Sequence, residues 1–183
     1  LDWRSIAVVV GGAAAFGLLA WRWTDPVDLL VLGIYVAALI VLLATYLDQK
    51  LLPDLITFPL MGYALIVLVL GVNPVLAGKA QLLIADGDLS ALLAAIATPA
   101  LLAVTDRIFR GALGMGDLKL AVSLGLMFGV TQLFIGFLLG TVAFAAVVLA
   151  LVLSRRLSMK KAVPFGPALI AAVVLSAVIE VPA

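Results

Sequence analysis

Apolar runs bounded by charge, proline or glycine recur along the chain at about 5–21, 28–47, 55–71, 90–105, 118–129, 131–153 and 163–181. Several approach the roughly 20 residues that a helix needs to cross a bilayer. The pattern predicts an all-α fold, a polytopic transmembrane bundle of about seven helices forming a single membrane-embedded unit over residues 1–183. The first run, Ile6 to Trp21, has no small-residue cleavage site ahead of a soluble chain, so it reads as a span rather than a signal peptide. The division between the fifth and sixth runs is the least marked. Residues 120–153 carry no charge, and only Gly129-Val130-Thr131 suggests a turn. At about 1.5 Å per residue this stretch reaches about 51 Å, too long for one ordinary span and tight for two. The fifth helix is therefore expected to be short or partly re-entrant.

Composition points the same way. Sixty-six per cent of the residues are hydrophobic and 11 per cent charged, against about 45–50 and about 25 per cent in soluble domains. A net charge of +1 without a continuous basic stripe gives no footprint for nucleic acid. The absence of cysteine and histidine excludes disulfides, thiolate metal sites, Cys nucleophiles and His-based triads. Carboxylates, lysines and serines remain for chemistry.

The basic residues also set an orientation. If seven helices alternate, one side receives Arg4, Lys50, Arg107, Arg110, Lys119, Arg155, Arg156, Lys160 and Lys161, and the other only Arg22 and Lys79. Cytoplasmic loops are enriched in Lys and Arg. The split predicts a cytoplasmic N-terminus and an external C-terminus, with Asp25, Asp28, Asp86, Asp88 and Glu180 on a solvated external face. The longest connection, about 72–89, holds Asn73-Pro74, Gly78 and Asp86-Gly87-Asp88, all turn-forming chemistry. It lacks the remaining ligand positions of a calcium loop. Gly125 with Gly129 and Gly136 with Gly140 have the spacing that lets helices approach closely. Thr98-Pro99 predicts a kink in the fourth helix.

Two aspartates fall on the basic side at membrane depth: Asp48 at the end of the second predicted helix and Asp117 at the start of the fifth. An ionisable group there is costly unless paired, hydrated or neutralised, which makes it a functional candidate. Each also has a plainer explanation as an interfacial cap, Asp117 standing as an N-cap to a helix that begins near Leu118. Gly114 and Gly116 flank Asp117 and permit close backbone approach to its carboxylate. After Asp48, Pro53 breaks the chain between two helices, and the two intervening helices return Asp117 to the face where Asp48 lies.

The sequence resembles the prepilin and preflagellin peptidases, which belong with the GxGD-type membrane aspartic proteases. Asp48 to Asp54 resembles the family's Asp-x-x-x-x-Pro-Asp segment, continued by Leu55-Ile56-Thr57-Phe58-Pro59-Leu60. Gly114-Met115-Gly116-Asp117 is similar to GxGD, followed by Leu118-Lys119-Leu120. Pro164-Phe165-Gly166-Pro167 resembles a segment that precedes the family's last helix.

The resemblance implies Asp48 and Asp117 as the catalytic pair, sharing one proton, with no cofactor and no metal. Asp54 is the rival for the first role, and is otherwise support or a loop cap. Lys119 either tunes the pair or is one of the cytoplasmic basic residues. Asp106, beside Arg107, is expected in an interfacial ion pair. The implied partners are the lipid bilayer and a prepilin, pseudopilin or related precursor, with a basic leader ahead of a hydrophobic helix, cut at the cytoplasmic face of the cell membrane. Many relatives carry an upstream region with paired CxxC motifs and a methyltransferase activity. A chain that begins at Leu1 without cysteine is expected to be a peptidase-only member or the protease part of a longer enzyme.

A presenilin-like or signal-peptide-peptidase-like enzyme is the nearest alternative, and Pro167-Ala168-Leu169 spells that group's PAL element. A small ion-coupled transporter is the alternative from another class.

Overall fold

The computed structural model describes residues 3–49, 53–77, 86–108, 114–153, 173, 174 and 177; for residues 47–49 and some others near helix ends the description covers the backbone alone. Five helices follow in order: α1 (Trp3–Arg22), α2 (Pro26–Gln49), α3 (Asp54–Val69), α4 (Gly87–Ile108) and α5 (Met115–Leu153). No strand occurs among the described residues. Two unbroken helices have the length and apolarity of membrane spans, Pro26–Tyr46 and Gly87–Ile108, and a third apolar stretch of that length, Met115–Val142, is interrupted at Gly129. The expected 163–181 helix lies outside the described residues, except that Val173, Val174 and Ala177 are helical.

Local chemistry explains the helix ends. Asp25 caps α2: its carboxylate accepts the Val27 N–H at 2.8 Å, and Pro26 at the first helical position gives up no useful donor. Asp86 caps α4 in the same way, accepting the N–H groups of Asp88 and Leu89 at 3.0 and 3.3 Å. The acidic turn at 86–88 is thus a helix start, and no metal-holding group of acidic side chains forms among the described residues. Helix α3 closes with Gly71 at φ 65°, its N–H bonded to the Leu68 carbonyl and the Val72 N–H to the Val67 carbonyl. Both α3 and α4 continue through their internal prolines, Pro59 and Pro99.

The outside of the bundle is as apolar as its inside. Tyr35, Phe128, Leu32, Leu39, Leu120 and Leu124 are fully buried, while Leu30, Ile34, Ile96, Leu101 and Phe134 are largely exposed. Such a surface is an aggregation liability in water and an ordinary contact with lipid. Because lipid gives helices no hydrophobic reason to associate, close packing and a few polar links hold them together. An added Cβ on Gly125 would lie 2.5 Å from Ala95 Cα, so α4 and α5 meet backbone to backbone there.

The buried polar link joins three helices. The Ser123 hydroxyl donates to the Leu60 carbonyl at 3.2 Å, which leaves the Tyr35 hydroxyl to donate to Ser123 Oγ at 2.9 Å. Tyr35 also stacks on Tyr63 and meets Phe128 edge-on. Tyr35→Phe removes only the outer donor. It is expected to lower stability by about 1 kcal/mol or less, read as a small drop in the thermal unfolding midpoint in detergent, since membrane hydrogen bonds average about 0.6 kcal/mol.

Helix α5 is not one rod. At Gly129 the backbone takes φ 68° and ψ 179°, so residues 115–128 and 130–153 are separate helical segments. The first reaches about 21 Å, less than the roughly 30 Å of hydrocarbon, as the short fifth helix was expected to be. It runs antiparallel to α4, since Gly125 lies on Ala94 and Ala95 whereas Val130 reaches back to Ser90. The second segment returns along α4. Val130, Phe137 and Val142 share one groove with Ala94, Leu101 and Thr105, which two helices can do over that length only side by side.

The polar groups freed by the break are supplied with partners. Ser90 Oγ accepts the Val130 N–H at 2.9 Å, and Asn73 Nδ2 donates to the Met127 carbonyl at 3.0 Å.

Candidate active site

The site grows from the first turn of α5. Gly114 is the cap residue and Met115 the first helical one, so Asp117 is the third residue of the helix rather than the cap of a helix from Leu118. Its Oδ2 accepts the Gly114 N–H at 3.0 Å, while its own N–H donates to the Gly114 carbonyl at 3.0 Å. This is the back-reaching half of a capping box. Capping therefore uses one carboxylate oxygen.

The other oxygen is free for chemistry. Asp117 is 5% exposed, and its Oδ1 is buried without a hydrogen-bond partner. A buried polar atom left unmatched is unusual and calls for an explanation. The other such atoms among the described residues, Thr131 Oγ1 and Gln132 Oε1, lie past Gly129 at the opposite end of the first α5 segment.

Lys119 fixes the neighbouring elements. Its ammonium lies 2.7 Å from Asp54 Oδ1 and 4.6 Å from the Phe58 ring centroid. Asp54 is the first residue of α3, after Pro53 at the cap position, and Pro53 supplies no side-chain cap bond. So Asp54 acts as a tie to α5 rather than as a loop cap. The Asp54 side chain is 59% exposed and that of Lys119 30%. A double-mutant cycle on Asp54→Asn and Lys119→Met, read by thermal unfolding, is expected to give a coupling below about 1 kcal/mol, as for other half-solvated pairs.

Asp48 lies in the last turn of α2, and its side chain falls outside the described residues. The backbone still bounds its position. Six residues separate it from Asp54, so its Cα is within about 20 Å of the Cα of Asp54. Along the axes from the Tyr35–Ser123 bond, Asp117 is about 9 Å and Asp48 about 20 Å toward the same end of the bundle. The end of α2, the start of α3 and the start of α5 thus gather Asp48, Asp54, Asp117 and Lys119 at one end. Gly116 is half-buried beside Asp117 and Gly114 is exposed. Asp106, in the last turn of α4, is half-buried. The segment Pro164-Phe165-Gly166-Pro167 lies outside the described residues.

Ser123 and Ser90 were not expected to matter from the sequence, and Asn73 was expected only as a turn residue, which it also is, its Oδ1 accepting the Val75 N–H at 3.1 Å. Their signal was present, as polar side chains within or beside apolar runs, where a membrane protein keeps them only for a partner.

An all-helical bundle with apolar spans and a buried carboxyl at the mouth of one of them defines a helical membrane protein with an embedded acidic site. The chain matches the type IV leader peptidase family over residues 33–153 and belongs to that family. It is accordingly a peptidase of the leader-peptidase type, with protein as its substrate. Asp48, Asp54, Asp117 and Lys119 all fall within the matched segment. No curated protein and no solved structure matches the chain.

Proposed function

We propose that this chain is a membrane aspartic endopeptidase that removes the leader from type IV prepilins, pseudopilins or related precursors at the cytoplasmic face of the cell membrane, using Asp48 and Asp117 as its pair. The observation that carries the reading is the buried Asp117 carboxyl, held by one oxygen to Gly114 and unpartnered at the other, in a chain of the leader peptidase family.

Two carboxyls drawn together in a low-dielectric site share one proton. The ionised one takes a proton from a water as its oxygen attacks the scissile carbonyl. The protonated one donates to the carbonyl oxygen, and the tetrahedral intermediate then collapses as the C–N bond breaks and the leaving nitrogen takes up a proton. Water is the only co-reactant. Gly114 and Gly116 support this role by leaving room for an extended peptide beside Asp117, and the Lys119–Asp54 pair by tying the start of α3 to α5.

The test is substrate choice. The purified chain in lipid is expected to cut a prepilin at the junction of its leader and apolar helix, and to leave a signal-peptide remnant that is cut in mid-membrane intact. The opposite result would assign it to the presenilin-like group.

A further inference from the structure

We propose that the groove between α4 and the second segment of α5 is where the apolar helix of the protein substrate docks, which rests on the leader-peptidase reading above. The groove has a volume of about 530 Å³ and is lined almost wholly by apolar atoms of the two helices. Three observations fix its occupant.

The first is depth. Gly125 lies on Ala94 and Ala95, and the first segment of α5 runs antiparallel to α4. Asp117 is eight residues before Gly125, about 12 Å along the axis, and Leu102 is about 11 Å along α4 in the same direction. The lower part of the groove, from Leu101 to Thr105, is therefore level with Asp117. A helix lying in the groove would begin at the depth of the reactive carboxyl and rise toward Ala94, about 16 Å away. A leader peptidase needs that geometry, because its scissile bond sits at the start of the substrate's apolar helix.

The second is polarity. Thr45 and Thr105 follow the helical habit of bonding back to the carbonyl four residues earlier, at 2.9 and 2.8 Å. Thr98 and Thr141 also line the groove, and neither hydroxyl bonds to a described residue. A lipid acyl chain offers them nothing. A peptide backbone or a polar side chain on a helix does, and small residues such as Ala94 and Ala97 let that helix come close.

The third is that the described residues of the chain's last apolar run, Val173, Val174 and Ala177, sit elsewhere. Val173 and Ala177 are buried in the core, and the Ala177 carbonyl accepts the Trp23 indole N–H at 2.9 Å, which places this segment by the α1–α2 junction.

Filling the groove should weaken substrate binding without touching the chemistry. For a full-length prepilin, Ala97→Phe and Thr98→Leu are expected to raise KM roughly tenfold with kcat changed less than about twofold, the mark of lost uniform binding. Val10→Phe, which puts the same ring on the exposed face of α1, is expected to leave KM unchanged. A photo-crosslinking residue at position 97 is expected to capture the substrate's apolar helix.

An unchanged KM in folded Ala97→Phe protein, or adducts only with lipid or with a second copy, would overturn the proposal. If the parent cuts no prepilin, the leader-peptidase reading is what fails; if it cuts one and the groove variants match it, the groove assignment alone fails.

Discussion

Asp117→Asn is expected to reduce prepilin cleavage by at least about 10³-fold while leaving the protein folded, because the amide keeps the carboxylate's shape and loses its proton chemistry. The retained part is visible in the structure. The carbonyl oxygen of the substituted amide can accept the Gly114 N–H that Asp117 Oδ2 now accepts at 3.0 Å, so the start of α5 keeps its cap and the unfolding midpoint should barely move. The unpartnered Oδ1 is different, since nothing in the fold depends on it.

Asp48→Asn is expected to be as damaging, and the double variant hardly worse than either single one. Residues that act as a unit in one step do not lose activity additively. Asp54→Asn separates this pairing from its rival. Asp54 is largely exposed and engaged by Lys119, so its replacement is expected to cost less than about tenfold, through a loosened α3–α5 tie rather than lost proton transfer. Wild-type cleavage by folded Asp117→Asn protein would end the aspartic assignment. A loss on Asp54→Asn as deep as that on Asp117→Asn would move the first catalytic role from Asp48 to Asp54.

How much of this was legible beforehand differs between features for physical reasons. The helices were, because lipid forces continuous apolar runs. The expected 28–47 and 55–71 run close to the observed Pro26–Gln49 and Asp54–Val69. The starts came too late by two to three residues where a capping residue leads the helix, since Asp86 and Gly114 precede helical residues that are charged or small and do not extend the apolar run. Asp117 was legible as a candidate from its depth and its glycines, but its position in the helix was not. That position depends on where the cap falls, and a carboxylate can serve as a cap residue or as the third residue of a capping box.

Lateral packing left little trace in the sequence. In a soluble protein, polar positions mark the outer face of a helix, but here Ile34 toward lipid and Leu32 toward the core carry the same chemistry. Only the Gly125–Gly129 spacing and the rare polar positions, Tyr35, Ser123, Ser90 and Asn73, betrayed which faces meet, and they reveal a need for partners without naming them.

Alongside Gly125→Ala, whose methyl would meet the Ala94–Ala95 backbone, Gly129→Ala is expected to be one of the two most damaging single-methyl changes in the fold. The backbone at φ 68° and ψ 179° lies in a region that only glycine occupies readily, and holding another residue there costs about 1–3 kcal/mol. The methyl would also stand 2.9 Å from Ser90 Oγ and 3.1 Å from Leu76 Cδ2, and Ser90 cannot swing away without abandoning the Val130 N–H. Relief by straightening α5 is closed as well, because a continuous helix would carry residues 130–142 off α4 and empty the groove they share with it. The variant should therefore show a strongly lowered thermal midpoint and a reduced folded yield in detergent. Gly17→Ala is the matched control: it lies in mid-helix with nothing within 4 Å of the added carbon, and helix propensity favours alanine there by up to about 1 kcal/mol. If the two variants unfold at the same temperature, the break at Gly129 is not a fixed feature of the bundle, and the return of α5 along α4 loses its support.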